Sequence, residues 1–159
     1  MGGLIAFEVI RELRKRNKQL PQQLFISSTA GLTSSTSEDV NYKLSDDELV
    51  SMYPHLDMQF IGDNELQQLL IGILKADLEL IYNYKYVQQE PLDIPVVAIH
   101  GVEDKRVKRD QIEQWEKETM SSFKLVQRMG GHRYIEHDAA FVTGLIREES
   151  IAKQIILVA

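Results

Sequence analysis

The stretch that decides the fold is Val96-Val97-Ala98-Ile99, which follows Pro95 and leads through His100-Gly101 into Val102-Glu103-Asp104. An unbroken apolar run that is mostly β-branched predicts a strand buried on both faces. Strands of this kind belong to parallel sheets covered by helices on both sides. Asp104 is therefore expected in a loop at the carboxyl edge of such a sheet.

Helices and strands alternate around this central run. Leu24-Phe25-Ile26 predicts an earlier strand, and Phe123-Lys124-Leu125-Val126 predicts a more exposed edge strand. An amphipathic pattern beginning at Asp138 predicts a final helix. The alternation predicts an α/β fold with a mostly parallel sheet and right-handed crossovers.

Two further helices are marked by local signals. An apolar stripe with helical spacing predicts a helix over residues 4–16, and Asn17 can adopt the left-handed conformation that closes it. Residues 108–119 predict a crossover helix with Ile112 and Trp115 facing inward.

Residues 44–86 carry helix signals only. Ser45-Asp46-Asp47-Glu48 has the pattern of a capping box, and Gly72 is interpreted as a break between two helices. An insertion between strands of a parallel sheet lies at its carboxyl edge, so this segment is a candidate lid. An ordinary helical insertion without a gating role is the alternative.

Bulk composition restricts the class of protein. The 159 residues fit one domain, with 43% hydrophobic and 26% charged residues. Neither a membrane span nor a signal-peptide pattern is found, and there are no cysteines. The net charge of −6 disfavours a nucleic-acid partner. We expect a soluble, cytoplasmic protein with no membrane partner.

A candidate acid–base pair follows two of the strands. Asp104 comes after the central strand, and Gly130-Gly131-His132 comes after the edge strand. Carboxyl ends of parallel strands share one sheet edge, so the carboxylate can orient the imidazole for acyl transfer. The order acid, then histidine, fits a triad whose nucleophile precedes both.

The other histidines are interpreted structurally. His100 ends the central strand and is expected to be a satisfied core or edge residue, His55 lies in a polar loop, and His137 begins the last helix. The spacing of His132 and His137 does not match a zinc-binding helix, so no metal is expected.

A basic cluster adjoins the candidate acid in an otherwise acidic chain. It consists of Lys105, Arg106, Lys108 and Arg109. One interpretation is a solvated loop and helix start. The other is a contact for an acidic partner at the mouth of the site.

Several motifs together resemble type II thioesterases, the α/β-hydrolases that serve polyketide, non-ribosomal-peptide and animal fatty-acid synthases. The resemblance extends from Met1 to about Glu149. The first and last of these motifs match the family's own motifs. Met1-Gly2-Gly3 resembles the end of the Gly-His-Ser-Met-Gly-Gly nucleophile elbow, and Gly130-Gly131-His132 resembles the family's Gly-Gly-His-Phe-Phe. The intermediate motifs are Leu74-Lys75-Ala76-Asp77, Pro91-Leu92-Asp93-Ile94-Pro95, Gly101-Val102-Glu103-Asp104 and Trp115. Arg133-Tyr134 departs from the aromatic pair of the family.

The resemblance implies hydrolysis of acyl groups held as thioesters on the phosphopantetheine arm of an acyl or peptidyl carrier protein. It implies Asp104 as acid, His132 as base and no cofactor. The serine would precede Met1, whose backbone N–H would help form the oxyanion hole if the chain continues upstream. We therefore expect residues 1–159 to be the C-terminal part of the domain, inactive alone.

Two alternatives remain open. A releasing thioesterase domain of a synthase often has its acid after the earlier strand, where Phe25-Ile26-Ser27-Ser28 offers none. A non-catalytic remnant that binds acyl groups or carrier proteins would need no serine.

Overall fold

The computed structural model describes residues 1–32, 43–53 and 64–156. The chain divides into two compact units: one contains residues 35–88 with Met1, and the other contains residues 2–34 and 89–159. Among the helices of the described residues, none is long and apolar enough to cross a membrane. His55, predicted in a polar loop, lies outside the described residues.

Elements follow one another in the order α1 (Gly2–Lys15), β1 (Leu24–Ser27), α2 (Asp46–Met52), α3 (Asn64–Asn83), β2 (Val96–Gly101), α4 (Arg109–Glu113), a 3-10 helix (Gln114–Glu118), β3 (Phe123–Arg128), α5 (Tyr134–His137) and α6 (Ala139–Ile156).

The larger unit contains a parallel sheet in the order β1-β2-β3. Ser27 aligns with Ile99, and Ile99 aligns with Val126. Every residue of β2 is buried, whereas every residue of β3 is half-buried or exposed. The predicted central strand and edge strand are thus confirmed.

Helices cover both faces of this sheet. On one face, the rings of Phe7 from α1 and Trp115 meet edge to face at 5.3 Å, and the Trp115 Nε1–H donates to the Thr29 carbonyl at 2.8 Å. On the other face, α5 and α6 pack on β2 through one buried apolar cluster. Its members are Val97, Ile99, Tyr134 and Leu145. The sheet is therefore packed between helices on both faces.

The smaller unit is helical. Ser45 caps α2: its hydroxyl accepts from the Glu48 N–H, and the Glu48 carboxylate accepts from the Ser45 N–H, which confirms the predicted capping box. Buried Leu49 packs against Ile71 and Leu78 of α3.

Three local predictions need correction. Gly72 does not interrupt a helix, since α3 runs through it and is anchored by buried residues on both sides. The predicted crossover helix is α-helical only in α4 and then tightens into a 3-10 turn, as helix ends often do. His137 ends α5 and does not begin the last helix. The predicted closure by Asn17 is confirmed, with φ of 50°.

Candidate active site

A tight turn after β2 presents Asp104. The Asp104 N–H donates to the Gly101 carbonyl at 2.9 Å, and the Glu103 N–H donates to the Gly130 carbonyl at 3.0 Å. The Asp104 side chain is fully buried, and its Oδ1 accepts from the N–H groups of Arg106 at 2.8 Å and Val107 at 3.1 Å. This Asx-type turn fixes the carboxylate, since two backbone donors hold one oxygen and leave the other available.

Glycines allow the histidine loop to approach this turn. Gly130 has φ of +114°, a backbone conformation that residues with a side chain rarely adopt. A Cβ on Gly101 would lie 2.6 Å from the carbonyl oxygens of both Gly130 and Gly131. The loop after β3 therefore lies directly against the end of β2, which brings His132 to the acid.

The structure brings Asp104 and His132 into direct contact. His132 Nδ1 lies 2.9 Å from Asp104 Oδ2, and the His132 side chain is 35% exposed while that of Asp104 is 0% exposed. A carboxylate only accepts hydrogen bonds, so in the neutral imidazole Nδ1 carries the proton and Nε2 has the lone pair. Nε2 makes no hydrogen bond to the described residues. The imidazole is oriented on one side and available as a base on the other.

A second contact near the histidine loop was not predicted from the sequence. The hydroxyls of Tyr134 and Ser27 lie 2.7 Å apart, which joins α5 to the end of β1. Burial raises the pKa of Tyr134, and the hydrogen bond with Ser27 partly opposes this. The signal was present in the sequence, since Tyr134 supplies a hydroxyl where the family pattern has phenylalanine.

His100 differs in part from its expected state. It is buried as predicted, and its Nε2 lies 3.0 Å from the Val107 carbonyl oxygen. Its Nδ1 is also buried and has no hydrogen-bond partner among the described residues. The expected satisfied core histidine is therefore satisfied at one nitrogen only.

The basic cluster follows Asp104 in the sequence and is exposed. Its four members are Lys105, Arg106, Lys108 and Arg109. Arg109 pairs with Glu113 one turn along α4. Met1 belongs to the other compact unit, so the oxyanion role of its N–H stays a prediction.

The end of β1 carries no acid. Ser27, Ser28 and Thr29 stand there, and residues 27–32, the described part of the loop after β1, include no carboxylate. The acid that contacts His132 instead follows β2.

The sequence is similar to those of known proteins. The family model for the thioesterase domain matches residues 1–149. The AMB antimetabolite synthetase AmbE of Pseudomonas aeruginosa is 29% identical over 151 residues, which are 93% of this chain and 7% of the synthetase. Thioesterase PikA5 of Streptomyces venezuelae is 27% identical over 138 residues, which are 85% of this chain and 49% of that protein.

The structure is also similar to solved structures. The type II thioesterase BorB from the borrelidin biosynthetic cluster superposes with a TM-score of 0.80 at 26% identity, covering 92% of this chain and 60% of that one. ClbQ from the colibactin NRPS/PKS pathway shares the fold, with a TM-score of 0.87 at 22% identity over 97% of this chain and 66% of its own. The chain thus spans roughly half to two thirds of the length of the thioesterases it matches. The predicted α/β-hydrolase fold and the resemblance to type II thioesterases are confirmed, and the chain belongs to the thioesterase domain family.

Proposed function

We propose that His132 and Asp104 are the base and acid of a thioesterase that releases acyl groups from the phosphopantetheine arm of an acyl or peptidyl carrier protein. The observation that carries this proposal is the 2.9 Å contact between a partly exposed imidazole and a fully buried carboxylate. Membership of the thioesterase family supports the reaction class. Acyl transfer needs an oriented base of this kind.

The nucleophile in this proposal is a serine in a segment that precedes Met1 in a longer chain. The greater length of the related thioesterases supports such a segment. The serine Oγ attacks the thioester carbonyl carbon while His132 Nε2 takes its proton, and Asp104 stabilises the resulting imidazolium. The Met1 N–H, as a mid-chain amide, donates to the developing oxyanion.

The remaining steps return every group to its starting state. Collapse of the tetrahedral intermediate breaks the carbon–sulfur bond, and His132 gives its proton to the departing pantetheine sulfur. His132 then deprotonates a water molecule, which attacks the acyl–serine ester. The second collapse releases the carboxylic acid, and the serine oxygen regains its proton from His132.

Activity of a serine-containing protein, meaning this chain extended at its N-terminus through the nucleophile elbow, tests the dyad. On an acyl-pantetheine thioester, His132→Ala should lower kcat by about 10⁶ and Asp104→Asn by about 10⁴, because the first removes the base and the second spoils its tautomer. His137→Ala, five residues along the chain, is the matched control. Wild-type turnover in His132→Ala would refute the assignment. Residues 1–159 alone should show no serine-dependent turnover.

The exposed basic cluster is proposed to receive the carrier protein. Acidic carriers would be attracted to Lys105 and Lys108 beside the acid turn, and steering of this kind raises association rates and falls with salt. Lys105→Glu with Lys108→Glu should raise KM for an acyl-carrier substrate while changing the small acyl-pantetheine reaction little. The matched control is Lys15→Glu with Lys18→Glu, at and just beyond the C-terminal end of α1. Equal losses on both substrates would show that the cluster supports the Asp104 turn and binds no carrier.

A further inference from the structure

We propose that His100 is a positioning residue that holds the Asp104 turn in the shape that orients His132. The inference deepens the proposed function and rests on it. His100 does not touch the proposed catalytic histidine. It lies one residue before the end of β2, and its Nε2 contacts Val107 in the loop that carries the acid.

Three hydrogen bonds link His100 to His132. The His100 Nε2–H donates to the Val107 carbonyl at 3.0 Å, and the Val107 N–H donates to Asp104 Oδ1 at 3.1 Å. The other carboxylate oxygen, Oδ2, accepts from His132 Nδ1 at 2.9 Å. The Val107 backbone is therefore held from the protein interior at its carbonyl, one Cα atom away from the N–H that donates to the carboxylate.

Stability alone does not account for an imidazole at this position. His100 is 4% exposed and shares its strand with buried Val96 and Ala98. Its Nδ1 is buried without a partner among the described residues, and an unpaired buried polar atom destabilises a fold. Leucine has a similar volume and would avoid this cost. What leucine cannot provide is the bond from Nε2 to the Val107 carbonyl.

Loss of that bond should act on the tautomer of His132. Without it, the peptide group that follows Val107 is free to rotate and the Val107 backbone is less firmly held. The Val107 N–H, one of the two backbone donors to Asp104 Oδ1, is then a weaker donor. The hydrogen bond at one ring nitrogen determines which tautomer an imidazole adopts. A loosened carboxylate therefore lets His132 populate the Nε2–H tautomer, in which the nitrogen that faces the substrate is no longer a base.

Nitrogen-15 NMR of histidine-labelled residues 1–159 tests this without any turnover. In the wild type, His132 (assigned by its loss in His132→Ala) should show the Nδ1–H tautomer. His100→Leu should give a mixture of tautomers, and His100→Gln should restore the wild-type signal because its side-chain amide can donate to the same carbonyl. Fluorescence of Trp115, which is 0% exposed, reports whether each variant is folded.

Each outcome decides between the two proposals. If wild-type His132 lacks the Nδ1–H tautomer, the dyad itself fails. If the wild type has that tautomer and folded His100→Leu retains it fully, His100 has no positioning role. In the serine-containing protein, His100→Leu should lower kcat about 10- to 100-fold with KM unchanged, as expected for a small misplacement of a catalytic group, and His100→Gln should recover most of it. An effect on KM alone, or equal kcat for the Leu and Gln variants, would overturn the proposal.

Discussion

The close approach of the acid turn and the histidine loop makes Gly101→Ala the sharpest perturbation of this site. A Cβ at residue 101 would lie 2.6 Å from two backbone carbonyl oxygens, those of Gly130 and Gly131, whereas ordinary contact begins near 3.4 Å. The loops must therefore separate by as much as 3.4 − 2.6 = 0.8 Å. Gly101 does not have positive φ, so the effect is steric overlap and not backbone strain.

A displacement of this size is expected to separate His132 from Asp104. Misplacement by about 1 Å can lower a rate about 100-fold, so kcat of the serine-containing protein should fall about 10- to 100-fold. Overpacking of this kind typically lowers the free energy of unfolding by about 1–3 kcal/mol.

Two assays check the prediction against a matched variant. Gly131→Ala adds the same methyl group on the opposing loop, where the nearest atom is the Glu103 carbonyl oxygen at 3.8 Å. The free energy of unfolding is measured by denaturant titration of Trp115 fluorescence, and kcat is measured on an acyl-pantetheine thioester. Similar kcat and similar stability in the two variants would refute the reasoning from loop contact.

Three further predictions concern the hydrogen bond between Ser27 and Tyr134, its dependence on pH, and Gly72. Tyr134→Phe and Ser27→Ala should each lower the free energy of unfolding by about 1–2 kcal/mol, and the double variant should lower it by less than the sum, because both remove the same hydrogen bond. Since burial raises the pKa of Tyr134 above 10.0, its stabilising contribution should be present below pH 10 and lost as the pH rises through the folded-state pKa. Tyr134→Phe should remove this loss of stability at high pH. If the two single variants and the double variant, measured by denaturant titration, show strictly additive changes in the free energy of unfolding, the contact is contradicted. Gly72→Ala should raise the free energy of unfolding by about 0.5–1 kcal/mol, because an added Cβ meets nothing within 4 Å in the middle of α3, and a lower melting temperature would contradict it.

Elements with strong local signals were predictable from the sequence. The buried run of β2 and the capping box of α2 depend on residues close together in the chain, and Asn17 closes α1 as its own conformational preference predicts. The error at Gly72 has a physical cause: glycine costs a helix about 1 kcal/mol, and burial of Ile71 and Leu78 in the same helix outweighs that cost.

The chain order of strand, acid, strand and histidine determined by itself which residues form the candidate site. Asp104 and His132 follow parallel strands, and the carboxyl ends of such strands share one edge. What only the tertiary structure decided is how the two side chains are held. The approach of Gly101 to the histidine loop, the Ser27–Tyr134 contact and the bond from His100 to Val107 all depend on the separation of backbone segments in space. Residue type sets which hydrogen bonds a side chain can donate or accept. Differences of a few tenths of an ångström in the separation of packed segments decide which of those bonds form.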